Sequence, residues 1–144
     1  MAIIQRYSNI PQADGTLRHA PFMPVLIRNA YGKLIEVIGL LDSGADCTVM
    51  PRDLADLLGM TEESKTHMTR GIGGIVPVKK IKFQCEIRGK HEKHTMHIPA
   101  LVLQEKADIP LLLGRSGFFD NFHITFKQDR KKIILKKVDS GKIY

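Results

Sequence analysis

Leu40-Leu41-Asp42-Ser43-Gly44-Ala45-Asp46-Cys47-Thr48 is the stretch on which the reading of this 144-residue chain turns. An apolar run ends on an acid, a hydroxyl residue and a glycine close a tight turn, and a second strand-like run begins. A carboxylate placed this way leaves a strand beside backbone that holds it, where it can activate a water. The runs on either side have the same texture. Val25 to Arg28 and Leu34 to Leu41 flank Asn29-Ala30-Tyr31-Gly32 as a hairpin, and Ala45 to Met50 continues as strand.

Short β-type runs separated by turn signals fill the remainder, the spacing expected of an all-β barrel or sandwich. Thr66 to Arg70 and Val76 to Ile81 flank a glycine-rich tip, and Phe83 to Ile87 and His94 to Ile98 flank Arg88-Gly89-Lys90. Leu111 to Leu113 reads as a short buried strand, and His123 to Phe126 with Lys131 to Val138 as a closing pair. Pro51 to Gly59 carries the best helix signal: proline at the start, acids in the first turn, Leu54, Leu57 and Leu58 on one face, glycine after the end. Arg115 to Asp120 has room for one more helical turn. Residues 1–24 hold three prolines and Asp14-Gly15 and read as an extended N-terminal arm or removable segment. Residues 25–144 read as one domain.

Composition narrows the function. No apolar run approaches the roughly 20 residues of a membrane-spanning helix, and the start of the chain lacks the apolar core of a secretory signal. Cys47 and Cys85 lie far apart in apolar surroundings, so they read as small buried hydrophobes and the expected location is cytoplasmic. The net charge of +7 gathers late, at Lys127, Arg130, Lys131, Lys132, Lys136, Lys137 and Lys142. These flank an apolar strand, where lysines commonly guard a sheet edge. No aromatic residues are interleaved to stack bases, so nucleic acid is disfavoured as a partner. His91, His94 and His97 alternate between strand faces and do not converge on one ion, so no metal site is expected. Cys47 has no partner arrangement for a nucleophile, and no Gly-Lys-Ser/Thr follows the glycine cluster to make a phosphate loop.

Three segments line up in order: Asp42-Ser43-Gly44-Ala45-Asp46, Arg70-Gly71-Ile72-Gly73-Gly74-Ile75-Val76-Pro77-Val78, and Leu111-Leu112-Leu113-Gly114-Arg115. Together they resemble the retropepsins, the single-lobed aspartic proteases of the retroviral type that also occur in cells. The resemblance runs from about Val25 to Val138. It implies a retropepsin-like acid-protease barrel with one short helix near the C-terminal end, active as a two-fold homodimer with no cofactor. It implies Asp42 as the catalytic acid, with Ser43, Gly44 and Ala45 supporting its turn. Asp46 would form a structural ion pair with Arg115. Gly71, Ile72, Gly73 and Gly74 would form a flap over an extended peptide, with Val49, Ile75 and Leu112 as candidate pocket residues. The chain departs from the family at Ser43, where a threonine is usual, at Ser116, and at Pro77 within a flap strand.

Asp139-Ser140-Gly141 repeats the catalytic tripeptide but has no apolar strand feeding it and only three residues after it. It reads as a polar C-terminal turn, which leaves Asp42 as the one credible catalytic acid. Two carboxylates sharing a proton are needed to hydrolyse a peptide bond by this chemistry. The expected enzyme is therefore an aspartic endopeptidase pairing Asp42 of two copies, acting on a peptide or protein substrate. The alternative is a catalytically weak or inactive module of the same fold that dimerises or binds peptides. The arm is expected to strengthen the dimer or to be trimmed by self-cleavage.

Overall fold

Period-two alternation of apolar and polar side chains drives twelve strands in the residues that the computed structural model describes, 2–60, 65–71 and 74–139. The first four are β1 (Ala2–Arg6), β2 (Asn9–Pro11), β3 (Leu17–His19) and β4 (Phe22–Arg28). In β4 the alternation is plain: Met23, Val25 and Ile27 are buried while Pro24 and Leu26 are half-buried. β5 (Leu34–Leu41) and β6 (Thr48–Met50) follow, then the helix α1 (Arg52–Leu57). Next come β7 (Thr66–Gly71), β8 (Gly74–Arg88) and β9 (Lys93–Leu103). β10 (Leu111–Leu113), β11 (Phe122–Lys127) and β12 (Lys132–Lys137) complete the order.

Seven strands form one sheet in the order β4-β5-β10-β6-β9-β8-β7, and a further β4–β8 pairing closes it into a barrel. Leu26 opposite Glu86 and Ile27 opposite Cys85 make that closure. β10 lies between the two strands that flank Asp42, parallel to β5 and antiparallel to β6. Most buried apolar side chains belong to one core cluster, which includes Ile27, Leu58, Ile98, Leu113 and Phe118. Full burial of each such side chain stabilises the fold by about 1.5–3 kcal/mol.

Residues 2–24 are built into this structure. β1 pairs with β12 in register from Ala2↔Lys136 to Arg6↔Lys132. Ile3 and Tyr7 join the core, and the amide of Ser8 donates to the Phe22 carbonyl at 2.9 Å. β2 and β3 form a separate hairpin turned by Asp14, whose carboxylate accepts the Thr16 amide at 2.9 Å. The stretch read from sequence as an arm thus supplies strands to two sheets and the first three residues of β4 to a third.

The helix after Pro51 has six residues, with Pro51 and Leu58 as its caps. Ala55 and Leu58 are buried and Leu54 half-buried, whereas Leu57 is 75% exposed. This is the one α-helix among the described residues. Near the C-terminal end, where one short helix was expected, Phe119–Asn121 make a single 3-10 turn. The reason is Gly117, at φ 86, which breaks an α path; a Cβ there would stand 2.8 Å from Pro99 Cδ. β1, β12 and β11 form their own three-stranded sheet with β12 in the middle. Lys132 and Lys136 accordingly guard no edge. Ser140 and Gly141 of the second Asp-Ser-Gly lie outside the described residues.

Candidate active site

Asp42 sits where β5 ends, and three backbone contacts hold its turn. Its amide donates to the Leu113 carbonyl of β10 at 3.0 Å. Its carbonyl accepts the Ala45 amide at 3.2 Å, and its carboxylate Oδ1 accepts the Gly44 amide at 2.9 Å. The side chain is half-buried, between an exposed Ser43 and a buried Leu41. This turn uses residues 45–47, which is why β6 starts only at Thr48 and not at Ala45.

The segment after β10 clamps the turn from outside. The Arg115 amide donates to the Ala45 carbonyl at 3.0 Å and the Ser116 amide to the Asp46 carbonyl at 2.8 Å. The Arg115 guanidinium pairs with the Asp46 carboxylate and reaches the Ser43 carbonyl at 3.4 Å. Both partners are exposed, Asp46 at 90% and Arg115 at 54% of the side chain. An ion pair so open to water contributes about 0–1 kcal/mol, so it acts here by geometry. Gly114 makes the close approach feasible. A Cβ on it would lie 2.3 Å from the Cys47 carbonyl oxygen, inside any tolerable contact.

An apolar floor extends from Asp42. Leu112 pairs with Leu40 on one side and with Val49 on the other, and Val49 pairs with Leu101. All four are half-buried. Leu40 stands two residues before Asp42 and so shares its face. Val49 and Leu112, both named from sequence, thus stand side by side. Leu40 and Leu101 were missed, although strand alternation from Asp42 was signal enough for Leu40. Beyond Leu40, Phe22 pairs with it and lines a cleft of about 450 Å³ with Ile38, Ile109, Pro110 and Arg18. Buried Thr48 was also missed; its hydroxyl accepts the Gly114 amide at 3.4 Å.

The glycine-rich hairpin is formed by β7 and β8, paired from Thr66↔Lys79 to Gly71↔Gly74. Ile72 and Gly73, at its tip, lie outside the described residues. Ile75 is 61% exposed on the hairpin and opposes Arg70, so it does not join the Leu112–Val49 row. Pro77 opposes Met68 without breaking the ladder, and its carbonyl accepts the Gln104 amide at 3.2 Å.

Other chemistry-bearing groups are engaged elsewhere. His94 pairs with Glu92 at 2.7 Å and meets the Phe122 ring edge-on. Among the described residues no three His, Cys, Asp or Glu side chains converge as a metal site would require. Burial pushes the Cys47 thiol up, with the Asp46 charge adding to it and Lys80 opposing. Burial, with Glu86 beside it, pushes Cys85 up to about 12. Neither thiol is poised as a thiolate at neutral pH.

Comparison with known proteins agrees with this geometry. A profile of the family described as aspartyl protease matches residues 28–116, more than half of the chain. Among solved structures, a retropepsin-like aspartic protease from Rickettsia conorii is similar with a TM-score of 0.58 and 18% identity. The match covers 94% of this chain and 88% of that one. A comparison with curated protein sequences gives no match. With an Asp-Ser-Gly turn at the strand exit, a Gly-Arg segment clamping it and a closed all-β barrel beneath, the chain belongs to the aspartyl protease family and has the retropepsin-like fold.

Proposed function

We propose that this protein is an aspartic endopeptidase that works as a two-fold homodimer, with one Asp42 carboxylate from each copy. The observation that carries the reading is the position of Asp42, half-buried at the end of an apolar floor and held by the Leu113 carbonyl and the Gly44 amide. One chain supplies one such carboxylate, and the chemistry needs two, so a second copy completes the site. Two carboxylates about 3 Å apart do not both ionise, and the pair keeps one proton.

The ionised member takes a proton from a water whose oxygen attacks the scissile carbonyl carbon. The protonated member hydrogen-bonds the carbonyl oxygen and gives it the proton, which yields a neutral tetrahedral diol. A proton then passes to the amide nitrogen, the C–N bond breaks, and a carboxylic acid and an amine leave. The dyad returns to its singly protonated state, and no covalent intermediate forms. The peptide lies extended across Leu40, Leu112 and Val49, with main-chain hydrogen bonds supplying affinity and alternate side chains filling pockets. The β7–β8 hairpin closes over it as a flap, its glycines providing backbone freedom without bulk. The Asp46–Arg115 pair keeps the turn in register with β10.

No helix among the described residues is long and apolar enough to cross a membrane. Cys47 and Cys85 are both free thiols, which supports a reducing, cytoplasmic setting. The test is cleavage of a mixed peptide library between pH 3 and 8 by wild type and Asp42→Asn. Cleavage at acidic to mildly acidic pH, lost in the variant, is the expected result. An optimum above about pH 8 contradicts the shared proton, and silence at every pH returns the fold to a binding module.

A further inference from the structure

The outer face of the β1–β12–β11 sheet carries a pattern that proteolysis does not use. The inner face sends Ile3, Ile133 and Leu135 into the core. Register then sets the outer face in three rows. Arg6, Lys132 and Lys127 lie directly opposite one another in the first. Ile4, Ile134 and Thr125 make the second, and Ala2, Lys136 and His123 the third. Like charges directly opposite destabilise a sheet, yet among the described residues these three rows hold no acid. None of the face's lysines, nor Arg6, makes a salt bridge among the described residues. Edge protection does not account for Lys132 and Lys136, which lie on the middle strand. In the middle row Ile4, on the flanking strand β1, is 65% exposed, and Ile134, at the centre of the face, is half-buried.

We propose that this face seats a short acidic amphipathic helix of a partner protein. Rows two residues apart on a strand are about 6.7 Å apart, so the outer two rows stand about 13 Å from each other. That gap straddles a helix about 10–12 Å in diameter. Three strands give a seat about 10 Å long, which is about two helical turns. An apolar stripe at i, i+3 or i+4, and i+7 rests on Ile4 and Ile134, and Asp or Glu on the two flanks meet Arg6, Lys132 and Lys127 on one side and Lys136 on the other. Charge complementarity selects this occupant. The same face of a second copy, set against this one, brings Arg6, Lys127, Lys132 and Lys136 against like charges. A nucleic acid finds no Phe, Tyr or Trp in these rows to stack its bases and has no use for the exposed Ile4. The inference does not depend on the protease reading.

The test uses the full chain carrying Asp42→Asn, so that cleavage cannot remove the probe. The probe is a labelled helical peptide of about four turns with a leucine stripe bordered by glutamates. A scrambled peptide of the same composition, a DNA duplex and a phosphatidylserine vesicle are run beside it. The helical peptide binds at least ~10-fold more tightly than its scramble, and added salt weakens it. Lys127→Glu with Lys132→Glu weakens it ~10-fold or more. Ile4→Ser weakens it several-fold, an effect that charge alone does not produce. Ile4 is exposed, so that variant folds and decides the matter even where the double charge reversal disturbs the sheet. Equal binding of the scramble, an Ile4→Ser variant indistinguishable from its parent, tighter capture of the duplex or the vesicle, or no binding of the helical peptide overturns the proposal.

Discussion

Replacing Gly114 by alanine tests the architecture of the site at its tightest point. The added Cβ stands 2.3 Å from the Cys47 oxygen and 2.4 Å from its carbonyl carbon, both backbone atoms that no side-chain rotation can clear. An ordinary contact begins at 3.4 Å, so the two segments must part by about 1.1 Å. Overpacking of this kind costs about 1–3 kcal/mol. The parting also strains the hydrogen bonds of Arg115 to Ala45 and of Ser116 to Asp46, each worth about 0.5–1.5 kcal/mol. Gly114→Ala should therefore lose about 2–4 kcal/mol of stability. Because the displaced strand positions Asp42 through the Leu113 carbonyl, a shift near 1 Å should also cost about a hundredfold in turnover. Urea denaturation reads the first quantity and peptide cleavage, at a temperature where the variant is folded, the second. Gly71→Ala, whose Cβ would meet nothing closer than 4.0 Å, serves as the stability control. A Gly114→Ala protein within about 0.5 kcal/mol of wild type would refute the clamp.

Asp46→Asn should change thermal stability by less than about 1 kcal/mol, because the pair with Arg115 is exposed; a larger loss in calorimetry would mean the pair is desolvated. Deleting residues 1–8 removes Ile3, 2% exposed, and the whole of β1, so the truncated chain should lose at least about 1.5–3 kcal/mol. Intact mass after long incubation should accordingly show the same length for wild type and Asp42→Asn; shortening in wild type alone would contradict the strand's role. Cys85, raised to about 12 from 9.0, stays neutral in the fold while an unfolded thiol ionises. Its contribution to stability is full below about pH 9 and is lost as pH rises from there toward 12. Stability measured from pH 7 to 10.5 should fall more steeply for wild type than for Cys85→Ala; parallel curves would show that the thiol ionises freely in the fold.

The strands were legible where alternation is long. Val25 to Arg28, Leu34 to Leu41, Phe83 to Ile87 and His94 to Ile98 could be read as strands, although Phe22–Pro24, the start of β4, went to the arm. Leu111 to Leu113 gave no such handle. Three consecutive leucines carry no alternation, and their parallel partner lies some seventy residues upstream, so position between β5 and β6 could not be read. The N-terminal stretch was read as an arm because Pro11, Pro21 and Pro24 hide a five-residue strand whose partner is at the far end of the chain. Lysines 132 and 136 looked like edge guards because sequence does not say which strand is central. At the site, Asp42, its turn and the Gly-Arg segment are local patterns and were visible at once. The floor was half visible: Val49 and Leu112 were named, while Leu101 reaches the row only through a parallel pairing. Ile75 was named for nearness in sequence and stands apart on the hairpin.

The pairing of two Asp42 carboxylates is the claim on which the functional account rests, and subunit mixing tests it most directly. Wild type and Asp42→Asn are combined at constant total protein, allowed to exchange, and assayed on a cleavable peptide. If each site needs both carboxylates, activity follows the square of the wild-type fraction and falls to about a quarter in an equal mixture. A linear decline to about one half would mean that each chain works alone and would contradict the shared dyad.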